Sequence, residues 1–136
     1  MLTLEEILKG KLFSSLPLKE QGNVKVLWFR MNKVRNEYGK PMTVTSGYRS
    51  MQDHLRIYRQ KGITDQSKIP MGSKHLIGCA VDMADPDGEL MVWCKANESL
   101  LRQIGLWIEK GTVGWVHFQS EPFKSYKLGG TIFFNP

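Results

Sequence analysis

His75 and Asp82 stand seven positions apart in SKHLIGCAVDMAD, Ser73 to Asp85, and another imidazole, His117, lies in WVHFQ, Trp115 to Gln119. Imidazole nitrogen and carboxylate oxygen are ordinary ligands of Zn²⁺. A His₂Asp set leaves a fourth position for water, as catalytic and not structural zinc sites do. The spacing His-x₆-Asp is not itself diagnostic, and two unrelated histidines with a strand-end aspartate also satisfy it. Asp82 argues for a partner, because a carboxylate inside the apolar run CAVDMA is costly unless it is paired or metal-bound.

Such side chains need strands to aim them. Cys79 to Met83 reads as a strand, and alternation puts Ala80 and Asp82 on one face, opposite Cys79, Val81 and Met83. In WVHFQ the same rule puts Trp115, His117 and Gln119 on one face, opposite Val116 and Phe118. If the two strands are neighbours, Asp82 and His117 enter one cleft and His75 closes over it from the loop end.

The rest of the chain supplies the frame. Thr3 and Glu6 form a capping box for a short helix ending at Gly10. Val24, Leu27, Met31, Val34 and Tyr38 recur at helical spacing through residues 18–38. MTVTS is a β-branched strand, and Ser50 with Asp53 caps a helix running to about Gln60. Residues 61–74 are a long polar loop, of a kind that is often functional. Asp85-Pro86 reads as an N-cap followed by a first-turn proline, opening residues 86–104 as one helix or two with a break near Asn97. GLWIE is a third strand, WVHFQ a fourth and TIFF a weaker fifth. This order predicts an α+β fold, a small, mostly antiparallel sheet packed with helices, in a single domain over residues 1–136.

Composition narrows the function classes. The chain has 136 residues, of which 41% are hydrophobic, enough for a core. No stretch approaches the ~20 apolar residues of a membrane helix, and MLTLEEILKGKLF is no secretory signal, so cytoplasmic synthesis without stable membrane association is expected. Cys79 and Cys94 sit in apolar settings and read as buried thiols. A net charge of +6 favours anionic partners such as nucleic acid, membrane surface or cell wall. The basic and aromatic stretch KVLWFRMNKVR is explained by the helical period without nucleic acid. Trp28, Trp93 and Trp107 read as core, Trp115 as cleft wall, and His54 as a solvent-facing helix residue.

Three motifs in order carry a resemblance. SKHLIGCAVD is similar to the Ser-x-His-x-x-Gly-x-Ala-x-Asp signature of the zinc D-alanyl-D-alanine carboxypeptidases, a family that includes VanY-type enzymes and phage L-alanyl-D-glutamate endolysins. TSGYRS, Thr45 to Ser50, resembles the family's Ser-Gly-Tyr-Arg motif, and WVHFQ its Trp-x-His motif. The resemblance spans roughly residues 20–120 and implies a hedgehog/DD-peptidase-like fold whose antiparallel sheet bears the zinc. It implies that His75, Asp82 and His117 bind Zn²⁺. Arg49 would hold a substrate carboxylate or the developing oxyanion. Ser73 would touch substrate or cap the local turn, and Gly78 and Ala80 would be small so that strand and metal loop pack closely.

The chain departs from the family where the general base is expected. Members carry a glutamate three residues before the last ligand or a histidine two before it. Gly114 and Trp115 stand here. Glu109 is the best substitute, with Asp85 and Glu121 behind it. The resemblance implies a zinc peptidase acting on peptidoglycan stem peptides, in a phage-encoded lytic enzyme that reaches the wall after release. Two rivals stand beside it: a zinc-containing wall-binding or virion structural module, favoured by the missing acid, and a basic nucleic-acid-binding protein.

Overall fold

The computed structural model describes residues 1–136. Its order is α1 (Leu4–Leu8), α2 (Leu18–Tyr38), β1 (Val44–Ser46), α3 (Met51–Gln60), β2 (Ala80–Asp85), α4 (Glu89–Ala96), α5 (Glu98–Ile104), β3 (Trp107–Glu109), β4 (Gly114–Gln119) and β5 (Phe133–Phe134), with short 3₁₀ turns between. The five strands form one sheet in the order β1-β2-β4-β3-β5. All pairs are antiparallel except β3 with β5, where the weakly patterned TIFF segment docks parallel as an edge. The fold is α+β, and no helix is long and apolar enough to cross a membrane.

Alternation divides the sheet into two faces. Val81, Met83, Val116, Phe118 and Ile108 are fully buried on one face. There they join Val24, Leu27, Met31 and Val34 of α2 and Ile7 of α1 in a single core. The periodic residues of α2 thus serve packing, and Trp28, Trp93 and Trp107 lie against the same core. Asp82, Trp115 and His117 project from the other face.

Local signals place several boundaries. Thr3 and Glu6 make the capping box of α1, and Ser50 accepts from the Asp53 amide at the start of α3. Of residues 86–104, Glu89–Ala96 and Glu98–Ile104 form two helices that break at Asn97. Asp85 departs from its expected N-cap position. It ends β2, and α4 starts only at Glu89 after Gly88. Its buried carboxylate still accepts from the amides of Leu90 and Met91 at 2.9 and 3.0 Å, so it caps α4 from a distance. Cys79 and Cys94 are buried free thiols, and burial raises both, to about 11 and about 12.

Gly47 explains why SGYR needs its glycine. The Tyr48 amide donates to the Ile7 carbonyl at 2.8 Å, which brings α1 hard against the turn. A Cβ on Gly47 would lie 2.0 Å from that carbonyl oxygen. Gly22, inside α2, has open space instead. The two sites therefore predict opposite signs in urea unfolding. Gly47→Ala should destabilise by about 1–3 kcal/mol through overpacking. Gly22→Ala should stabilise by about 0.5–1 kcal/mol by removing helix-interior glycine.

Candidate metal centre

β2 and β4 are neighbours, and their register pairs Asp82 directly with His117. His75 comes from a 3₁₀ turn, Lys74–Ile77, that leads into β2. The turn is capped by Ser73, whose hydroxyl accepts from the His75 amide at 3.3 Å. It ends at Gly78, where φ is +78° and a Cβ would lie 2.6 Å from Val24. Gly78 thus lets the turn reverse tightly against α2, and Ala80 behind it is fully buried.

The ligand-type atoms of His75, Asp82 and His117 all lie within 4.8 Å of one another. Asp82 Oδ1 is 3.3 Å from His75 Nε2 and 2.9 Å from His117 Nδ1. Each imidazole is oriented from behind. His75 Nδ1 lies 2.9 Å from the Gly47 carbonyl, and a carbonyl only accepts, so Nδ1 carries the hydrogen. His117 Nε2 lies 3.0 Å from Gln119 Oε1, and the Gln119 amide nitrogen donates to the Glu121 carbonyl, which turns Oε1 toward the ring. His117 Nε2 therefore also carries hydrogen. With both rings neutral, two nitrogen lone pairs and a carboxylate oxygen face one point. That arrangement is repulsive without a proton or a cation among them. Tetrahedral ligands at ~2.0–2.1 Å from a metal are separated by roughly 3.3 Å, near the two Asp82 contacts of 2.9 and 3.3 Å in a set that lies within 4.8 Å. The outer-nitrogen bonds are the kind that fix metal-binding tautomers.

Electrostatics in the metal-free protein agree. Burial would raise the Asp82 carboxyl, but its bonds to His117 and His75 and their charges outweigh that and hold it well below the usual range. Burial would lower His117, but the Asp82 bond and charge, with Gln119 and Glu109 beyond, raise it.

The centre lies in a cleft of about 560 Å³ that includes Arg49, Ser73, Glu109 and Trp115. Trp115 is 39% exposed on its wall. A bulge in β1 prepares the Arg49 side. The register runs Val44↔Met83 and then Ser46↔Asp82, so two steps on β1 oppose one on β2. This brings Ser46 level with Asp82, and its hydroxyl accepts from Arg49 Nη2 at 2.9 Å. The Arg49 amide donates to the His75 carbonyl at 3.1 Å, so the two motifs hold each other. Tyr48 donates to Glu20 of α2 at 2.9 Å, and burial with that bond pushes its hydroxyl up to about 12.

Of the three acids considered for proton transfer, Glu109 alone lines the cleft. Asp85 is spent on α4, and Glu121 pairs with Lys74 at 3.0 Å. His54 corrects the sequence expectation, for it is completely buried, not solvent-facing. The sequence reading also missed the far wall. Phe134 stacks on Phe123 at 5.2 Å and meets the His117 ring edge-on at 6.2 Å, and Lys124, Asn135 and Pro136 complete that side. The aromatic pair FF in TIFF was its only signal.

The charge pair predicts a bell-shaped contribution to metal-free stability. Asp82, depressed on folding, stabilises above its unfolded value of about 4 and loses this as pH falls. His117, raised on folding, stabilises below about 6.5 and loses this as pH rises through its folded value. With chelator present, urea unfolding should show wild type exceeding Asp82→Asn most between about pH 4 and 6.5, with the gap narrowing on both sides.

Comparison with curated proteins and with solved structures finds no match. The sequence profile of one family, described as Peptidase M15, matches residues 2–118, which include all three residues of the centre. The chain belongs to the peptidase M15 family.

Proposed function

We propose that the protein is a zinc metallopeptidase that cleaves peptidoglycan stem peptides, as a D,D-carboxypeptidase or an L-Ala-D-Glu endopeptidase. The observation that carries this reading is the convergence of His75, Asp82 and His117, in a chain of the peptidase M15 family, at the floor of an open cleft. The two-imidazole, one-carboxylate donor set suits Zn²⁺ and leaves one position outside the protein. Zinc, when bound, supplies a Lewis acid that polarises a carbonyl and acidifies water.

The chain's own residues supply the rest. Asp82 neutralises part of the ion's charge, and Gly47 and Gln119 hold the two imidazoles in the ligating tautomer. Arg49 holds the substrate carboxylate or the oxyanion by paired hydrogen bonds. Glu109, on the strand beside His117, takes a proton from water and returns it to the leaving amine. Trp115 on one side, and Phe123 with Phe134 on the other, shape the groove for an extended peptide. Ser73 is committed to the turn through its hydroxyl oxygen, and its hydrogen remains free for substrate. The net charge of +6 favours association with anionic wall polymers, in keeping with a phage lytic enzyme that meets the wall after release.

Mass spectrometry of digested peptidoglycan, with metal analysis of the purified protein, tests the reading. Wild type should carry zinc and release stem-peptide fragments, and chelator should stop release. His117→Ala should lose both zinc and products. Glu109→Gln should keep zinc and lower kcat by ~10²–10⁴. Full activity in Glu109→Gln would remove that residue from proton transfer. Zinc without cleavage of any stem peptide would favour a wall-binding module, the reading supported by Gly114 and Trp115 standing where a base is expected.

A further inference from the structure

His54 is fully buried although it carries two polar nitrogens, and both are used. Nε2 lies 2.7 Å from the Pro70 carbonyl, in the loop that leads to Ser73 and His75. Nδ1 lies 3.4 Å from Arg49 Nη1. A carbonyl can only accept and a guanidinium can only donate. Both contacts therefore demand the same neutral tautomer, with hydrogen on Nε2 and the lone pair on Nδ1 turned to Arg49.

We propose that His54 is a positioning residue for Arg49, receiving its guanidinium through Nδ1 while Nε2 anchors the ring to the cleft-rim loop at Pro70. The assignment rests on Arg49 being the group that meets substrate. A long arginine side chain holds its head in one place only if several contacts fix it. Ser46 takes one hydrogen of Nη2, His54 takes one of Nη1, and the backbone is pinned to His75. Of the five N–H donors of a guanidinium, three have no protein partner. One of them, on Nε, is buried and finds no acceptor in the protein. The same imidazole connects three pieces of the cleft, since its ring also packs at 4.9 Å on Tyr58, which lines the site. None of the zinc-type ligands touches it through a hydrogen bond. Its effect on the reaction thus passes through Arg49 and the loop.

A buried histidine that only fills space would be replaced by leucine at a cost in stability alone, so the test must read the coupling to Arg49. With stem-peptide substrate, kcat and KM are measured for wild type, His54→Leu, His54→Gln, Arg49→Ala and the His54→Leu/Arg49→Ala double variant. His54→Leu should lose ~10–100-fold in kcat/KM through misplacement of the guanidinium. His54→Gln, which retains a donor and an acceptor, should recover most of it. In the Arg49→Ala background His54→Leu should change kcat/KM less than ~2-fold, because the pathway is already gone. An equal loss in both backgrounds overturns the proposal. A second measurement needs neither zinc nor turnover. Imidazole ¹⁵N NMR of the metal-free protein should find His54 as the Nε2–H tautomer, with its Nδ1 resonance shifting in Arg49→Ala. A different tautomer, or an unmoved resonance, overturns the proposal even if His54→Leu fails to fold. Should wild type bind zinc and cleave nothing, the peptidase reading fails, and the NMR result still decides the contact.

Discussion

The outer nitrogen of each imidazole in the centre is committed to an oxygen that can only accept: the Gly47 carbonyl for His75, the Gln119 side-chain carbonyl for His117. That commitment turns the remaining lone pairs inward onto Asp82 Oδ1, 2.9–3.3 Å away. Three electron-rich atoms so close are stable only with positive charge among them. The Asp82 carboxylate raises His117, and the two imidazoles hold Asp82 well below the usual carboxylate range, both in the direction that brings positive charge to this point. A divalent cation satisfies all three at once. The orienting bonds matter as much as the ligands, for without them either ring could turn its hydrogen inward and close the centre.

The sheet exists in the form that serves this constraint. The pairing of Asp82 with His117 follows from the β2–β4 register, and a slip of one residue by either strand would turn its polar side chain into the core and carry its apolar residues out to the cleft. Burial of Val81, Met83, Val116 and Phe118 on the opposite face prevents that slip. His75 comes from outside both strands and approaches from the side. The capped turn from Ser73 to Gly78 brings it in, and hydrogen bonds to Gly47 and from Arg49 lock that turn to the end of β1. The two motifs that are far apart in sequence are thus one structural unit, with Gly47 squeezed against α1 as its hinge point.

The cleft is asymmetric in chemistry. Arg49 stands on the β1 side, held by Ser46 and His54, while Glu109 and the aromatic pair Phe123–Phe134 stand on the β3 and β5 side. Residues 119–136 lie beyond the family match, yet they build that second wall and orient His117 through Gln119. The departure at Gly114 and Trp115 also acquires a physical sense. Gly114 adopts φ of +91° and Trp115 serves as wall, while Glu109 of the adjacent strand lines the same cleft.

Much of this was legible in the residues alone. Capping boxes at Thr3 and Ser50, the helical period of 18–38, and the alternation in AVDMA and WVHFQ depend on neighbours within a few positions, and so they could be read directly. The three ordered motifs named His75, Asp82 and His117, and the buried carboxylate gave a reason for them. Other features required the folded chain. Asp85 moved off its expected N-cap position because β2 pairs with β4 as far as Gly114, and it caps α4 from the strand end instead. The β1 bulge put Ser46 beside Arg49, His54 turned inward to meet Pro70, and the last residues returned to stand by His117. Each of these depends on which distant segments touch, and on a polar group's need to find a partner once water is excluded. Sequence spacing carries the local periods of helix and strand, but it does not carry that long-range accounting of hydrogen bonds.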